Sequence, residues 1–121
     1  MSPLWSPDGS RILFSRHSPD LGPHYGDGDW AICVVDTDGE NLRQLTVGSR
    51  KDFHPTWSPD GTRIAFHSYL LDHYAILTMD ADGGNERHPT GGFSRDTCPV
   101  WSPSGRQIAF SRNRDRDLEG D

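Results

Sequence analysis

Apolar residues in this chain come in short runs: Ile12-Leu13-Phe14, Ala31-Ile32-Cys33-Val34-Val35, Ile64-Ala65-Phe66, Ala75-Ile76-Leu77 and Ile108-Ala109-Phe110. Each is bounded by Pro, Asp, Gly or Ser, and none is long enough or spaced correctly for an amphipathic helix. Runs of this length with β-branched and aromatic residues predict strands. A sandwich strand would carry one polar side. Here both sides are apolar, which predicts strands packed on both faces.

The runs repeat. Pro3-Leu4-Trp5-Ser6-Pro7-Asp8-Gly9, Pro55-Thr56-Trp57-Ser58-Pro59-Asp60-Gly61 and Pro99-Val100-Trp101-Ser102-Pro103-Ser104-Gly105 each precede one of the Ile-x-Phe segments. Trp57 to Trp101 is 44 residues and Trp5 to Trp57 is 52, whereas Trp30 to Trp57 and Tyr74 to Trp101 are both 27. The surplus is therefore a Pro/Gly-rich insertion within 17–28, set on a constant scaffold. In the middle unit the pattern predicts strands at Pro55–Ser58, Arg63–Ser68, Tyr74–Met79 and, more weakly, Asn85–Thr90. The weak strand's counterpart one unit earlier is Asn41–Thr46. Pro-Asp-Gly and Asp-x-Asp-Gly supply the turns, with Gly accepting positive φ and Asp bonding its own backbone. Four antiparallel strands per 44 residues is the size of one propeller blade.

The expected fold is thus all-β, an open arc of about two and a half four-stranded blades. It divides into 1–54 with the insertion, 55–98, and 99–121 as the first half of a third blade. Propellers close with about four to eight blades, so the expected context is a larger propeller or self-association through open blade edges.

Composition narrows the partners. Thirteen Gly and nine Pro in 121 residues fit a turn-rich β fold, and no stretch approaches the ~20 apolar residues of a membrane-spanning helix. Net charge is −6, with both signs scattered, which argues against nucleic acid as a ligand. Two cysteines are too few for a disulfide framework or a zinc site. The N-terminus carries no signal-peptide pattern.

The phrase Pro-x-Trp-Ser-Pro-Asp-Gly-x-x-Ile-Ala-Phe, then Met-Asp-Ala-Asp-Gly, then Arg-Gln-Leu-Thr, resembles the TolB-type WD-like β-propeller repeat. The matching stretches are 3–16, 30–46, 55–68, 74–90 and 99–112. Ser104 in place of Asp, and Glu86, His88 and Pro89 in the second outer strand, depart from the pattern. The resemblance implies a β-propeller, often in exported bacterial proteins, hence a periplasmic or extracellular parent. It does not fix one function; repeats that are well kept with no catalytic set among them favour a non-catalytic scaffold that binds a protein or peptide. The alternatives are the substrate-gating propeller of a prolyl-oligopeptidase-type serine peptidase, or an oligogalacturonate-lyase-like enzyme.

Tracing the strands assigns the short repeated turns to one end and the longer connections to the other. The longer connections are expected to carry His17, His24, Asp52, His54, His67, Tyr69, Asp72, His73, Arg95 and Asp96, the candidate binding residues. Their spacing matches no metal motif, so neither metal nor cofactor is expected. No Gly-x-Ser-x-Gly nucleophile elbow occurs, and no catalytic set is read from the segment. Asp36–Asn41 and Asp80–Asn85 look like calcium loops but lack the Gly and Glu positions of an EF-hand, so hairpin turns are expected there.

Overall fold

A computed structural model of the chain describes residues 3–18, 29–46, 50–70, 73–90 and 95–113. Among them every regular element is a strand: β1 (Leu4–Trp5), β2 (Arg11–Ser18), β3 (Asp29–Asp36), β4 (Arg43–Gln44), β5 (Lys51–Trp57), β6 (Arg63–Leu70), β7 (His73–Asp80), β8 (Arg95–Trp101) and β9 (Ile108–Asn113). Neighbouring strands pair antiparallel as β1-β2-β3-β4, β5-β6-β7 and β8-β9. The first two groups touch edgewise through one parallel pair, Trp30 with Lys51. They otherwise stack face to face, as successive blades of an open arc do.

The turns account for the repeated phrase. In the second copy the Asp60 carboxylate accepts from the Ser58 hydroxyl at 2.7 Å, the Thr62 amide at 3.0 Å and the Thr62 hydroxyl at 2.7 Å. Gly61 closes the turn at φ 74°, donating its N–H to Ser58 O at 2.8 Å. Asp8 repeats the pattern with Ser6 and Ser10. Ser104 reproduces it more weakly, donating or accepting with Ser102 at 3.1 Å and accepting from the Arg106 amide at 3.3 Å. The two acidic turns are hairpins, as expected: the Asp36 and Asp80 carboxylates accept from the side-chain amides of Asn41 and Asn85 at 2.8 and 2.6 Å.

The core lies between the first two blades. Leu13, Ile32 and Val34 from β2 and β3 meet Trp57, Ile64, Phe66, Ala75, Leu77 and Met79 from β5, β6 and β7. Burying a side chain such as Phe66 or Leu77 stabilises by roughly 1.5–3 kcal/mol. The repeated Trp adds a directional contact. Trp57 Nε1–H donates to Leu4 O at 3.4 Å, and Trp101 Nε1–H to Thr56 O at 3.1 Å. Each indole thus reaches the residue just before the Trp of the preceding copy.

Two differences from the sequence reading have physical causes. The outer strands shrink, Asn41–Thr46 to Arg43–Gln44 and Asn85–Thr90 to a single bridge between Thr78 and Arg87. Pro89 lacks the N–H a longer ladder needs. The inner strands grow: β5 starts at Lys51 and β8 at Arg95, upstream of the prolines expected to open them. A bulge makes this feasible. Between Phe53↔His67 and Thr56↔Ala65, His54 and Pro55 together face Phe66, and Cys98 and Pro99 face Phe110 in the same way. Pro occupies the bulge, where no ladder hydrogen bond is required of it. His54 and Cys98 take left-handed backbone at φ 53° and 56°.

Candidate functional site

Two kinds of surface adjoin each other: a wall formed by the inner strands and a cluster of rings at the end opposite the repeated turns. Leu4, Thr56 and Val100, equivalent positions of β1, β5 and β8, line a cleft of about 480 Å³ together with His54, Pro55, Cys98 and Pro99. Because the three inner strands converge on it, this cleft is the inner wall of the arc. A larger cleft, about 610 Å³, lies on the outer side between Arg63, Arg87, Trp101 and Phe110. Its lining includes Ile108 and Phe110 of β9 and His88 and Thr90 of the second blade's outer segment.

Beside the inner wall runs a chain of rings crossing both blades. His17 tilts on Trp30 at 5.2 Å between centroids, Trp30 on Phe53 at 5.5 Å, and Phe53 on His67 at 5.8 Å. His67 continues to His54 at 4.9 Å and edge-on to Tyr74 at 5.2 Å, and Tyr74 to Tyr69 at 5.1 Å. His17, His54 and Tyr69 are exposed while Trp30, Phe53 and Tyr74 are half-buried. The sheet register orders these rings, because His17 with Trp30, Phe53 with His67 and Tyr69 with Tyr74 are direct cross-strand pairs.

His67 is the buried member, 5% exposed. The Cys98 amide donates to its Nδ1 at 3.0 Å, tying β6 to β8. Burial, with the nearby His54 adding to it, pulls the imidazole down to about 4, so the ring is neutral at physiological pH.

The expected loop residues turn out to sit on strand ends. His17 lies in β2, Asp52 and His54 in β5, His67 and Tyr69 in β6, His73 in β7, and Arg95 and Asp96 in β8. The inner strands extend past their prolines and absorb what looked like connections. His24 and Asp72 lie outside the described residues. Asp52 and Asp96 are corrected further: both are buried, not displayed. Arg50 Nε donates to the Asp52 oxygens at 2.9 and 3.0 Å, and its two terminal nitrogens donate to Glu86 at 2.9 and 2.6 Å. Arg112 donates from Nε and a terminal nitrogen to the two Asp96 oxygens at 2.7 and 3.0 Å. Such two-pronged pairing fixes geometry and leaves these carboxylates internal. Trp30, Phe53, Tyr74 and Cys98 belong to this end and were absent from the sequence-based set. The constant 44-residue period was a signal for Cys98, since it places Cys98 in register with His54.

Stacked antiparallel blades, a Trp linking each to the one before, and an inner wall built from equivalent positions define a β-propeller arc. The chain belongs to the TolB beta propeller domain family, whose pattern it matches over residues 1–118. The Tol-Pal system protein TolB of Methylococcus capsulatus is 45% identical over 38 residues, 31% of this chain and 9% of that protein. Among solved structures, a protein assigned as TolB from Agrobacterium tumefaciens superposes with a TM-score of 0.77 at 26% identity, covering 94% of this chain and 39% of its own. TolB from Acinetobacter baumannii gives 0.68 at 22% identity, covering 93% of this chain and 26% of its own. The chain therefore spans well under half the length of these relatives.

Proposed function

We propose that this arc forms part of a propeller that binds a protein or peptide segment at its strand-end rim and does not turn over a substrate. The observation that carries the reading is the chain of rings from His17 through Trp30, Phe53, His67 and Tyr74 to Tyr69, spanning two blades at one end. Rigid aromatic side chains with one polar edge supply contact area at low entropic cost, and they dominate protein–protein hot spots. The buried carboxylates are engaged by arginine, which suits a scaffold better than acid–base work. A relative named as a component of the Tol-Pal system points to the same kind of role.

A photo-crosslinking residue placed at Tyr69, compared with one at Glu40 on the exposed turn at the other end, tests this. The expected result is a discrete protein adduct from position 69 only, with Tyr69→Ala weakening the interaction about tenfold or more. Equal labelling from both positions, or no adduct alongside measurable turnover of a small substrate, overturns the proposal.

A further inference from the structure

The two bulges bring together residues that the established family membership does not explain. His54 from β5, His67 from β6 and Cys98 from β8 offer ligand atoms that all lie within 4.8 Å of one another. We propose that this trio is a binding site for a divalent cation of the zinc class, facing the inner cleft of the arc.

The chemistry of the donors selects the ion. Two imidazoles and a thiolate suit zinc, cobalt or nickel, whereas manganese, magnesium and calcium favour oxygen ligands. Zinc bonds of ~2.0–2.1 Å to nitrogen and ~2.3 Å to sulfur place tetrahedral ligand atoms ~3.3–3.6 Å apart. A span of at most 4.8 Å leaves a closure of about 1–1.5 Å, to be made by side-chain adjustment of the exposed His54 and Cys98.

Backbone geometry points the same way. His54 and Cys98 hold positive φ, a conformation costing a non-glycine residue roughly 1–2 kcal/mol. The bulge repeats in both blades, so the strained position belongs to the scaffold. At both repeats this chain fills it with a metal-binding residue type instead of Gly or Asn. His67, facing Phe53 across the sheet, completes the set.

The tautomer is already suited to ligation. Nδ1 of His67 accepts the Cys98 N–H, so that nitrogen is unprotonated and its lone pair points toward Cys98. A cation shared with Cys98 Sγ takes over this lone pair. One backbone hydrogen bond, worth about 1 kcal/mol, is exchanged for a coordinate bond. The Cys98 thiol loses its proton to solvent on binding, as zinc-bound cysteines do. The fourth position opens on the cleft lined by Leu4, Thr56 and Val100, where water or a ligand group completes the coordination.

Cobalt titration of the 121-residue chain reads the site directly. The expected result is one Co²⁺ per chain, tetrahedral d–d absorption and a thiolate-to-cobalt charge-transfer band, displaced by Zn²⁺. Loss of an outer-shell partner alone weakens metal sites about 10–100-fold, so His54→Ala and Cys98→Ser are each expected to weaken binding at least ~10-fold. His88→Ala, an exposed histidine on the outer side, leaves binding unchanged. A second readout needs no variant: Zn²⁺ is expected to slow alkylation of Cys98 at least ~10-fold in the unaltered chain, while Cys33 is buried and unreactive throughout. Binding without the charge-transfer band, equal affinity in His54→Ala, or alkylation of Cys98 indifferent to Zn²⁺ overturns the proposal.

Discussion

Arg50 ties the start of β5 to the far side of the second blade, and its removal should separate two kinds of ion pair in one experiment. The Asp52 side chain is 0% exposed, that of Arg50 16% and that of Glu86 29%. Truncating Arg50 leaves a buried carboxylate without its cation, which typically costs about 3–5 kcal/mol. The Glu86 half is partly solvated, and pairs of that kind contribute about 0–1 kcal/mol. Arg50→Ala should therefore cost about 3–5 kcal/mol and Glu86→Ala no more than about 1 kcal/mol. Burial pushes the Asp52 carboxyl above the ordinary carboxylate range, opposed by Ser68, by Arg50 and by Thr46. A group whose folded-state value is raised holds its proton better in the folded protein, so its contribution is full at low pH and is lost as pH rises through the folded value. Without Arg50 the rise is larger. The deficit of Arg50→Ala should thus be greater at about pH 7 than at about pH 5. Urea unfolding followed by far-ultraviolet circular dichroism, with an unchanged m-value, measures both quantities. A cost below about 1 kcal/mol, or one equal at the two pH values, would show that Asp52 does not depend on Arg50.

Two further outcomes follow from the turns. Gly83 and Gly39 both hold positive φ, but a Cβ at Gly83 would lie 2.8 Å from Leu45 O, whereas at Gly39 nothing lies within 4 Å. Gly39→Ala should cost about 1–2 kcal/mol of backbone strain, and Gly83→Ala at least ~1 kcal/mol more; equal losses in thermal midpoint would contradict the contact. Asp60 is held down at about 2 by the Thr62 amide and the Ser58 and Thr62 hydroxyls. Its depressed value stabilises above the ordinary 3.8 and is lost as pH falls toward about 2. Asp60→Asn should therefore flatten the dependence of the urea midpoint on pH in that acid window, and an unaltered slope refutes the assignment.

The blade arrangement was legible because periodic sequence and periodic structure obey the same spacing. Trp5, Trp57 and Trp101 mark the inner strands, and each pairs across the sheet with the Ile of its own unit, Ile12, Ile64 or Ile108. Strand ends were less legible. A proline ordinarily opens or interrupts a strand, yet Pro55 and Pro99 sit within β5 and β8 because a bulge removes the demand on their missing N–H. That error moved Asp52, His54 and Asp96 into supposed connections. Ion pairing across a blade, as between Arg50 and Glu86, depends on side-chain reach and has no period to betray it. Proximity of His54, His67 and Cys98 needed both the repeat phase and the sheet register, and only the first is written in the chain.

The bulge also separates two jobs that strands usually combine. In a regular ladder each residue both pairs with its neighbour and presents a side chain, so changing the side chain perturbs the pairing. The residue preceding Pro55 or Pro99 stands outside that bookkeeping: Phe53 and Thr56, or Thr97 and Val100, keep the sheet in register whatever lies between them. β5 and β8 thereby each offer one interchangeable socket on the inner wall. A lineage can rewrite the chemistry of this cleft one codon at a time at positions 54 and 98 while the surrounding sheet stays as it was.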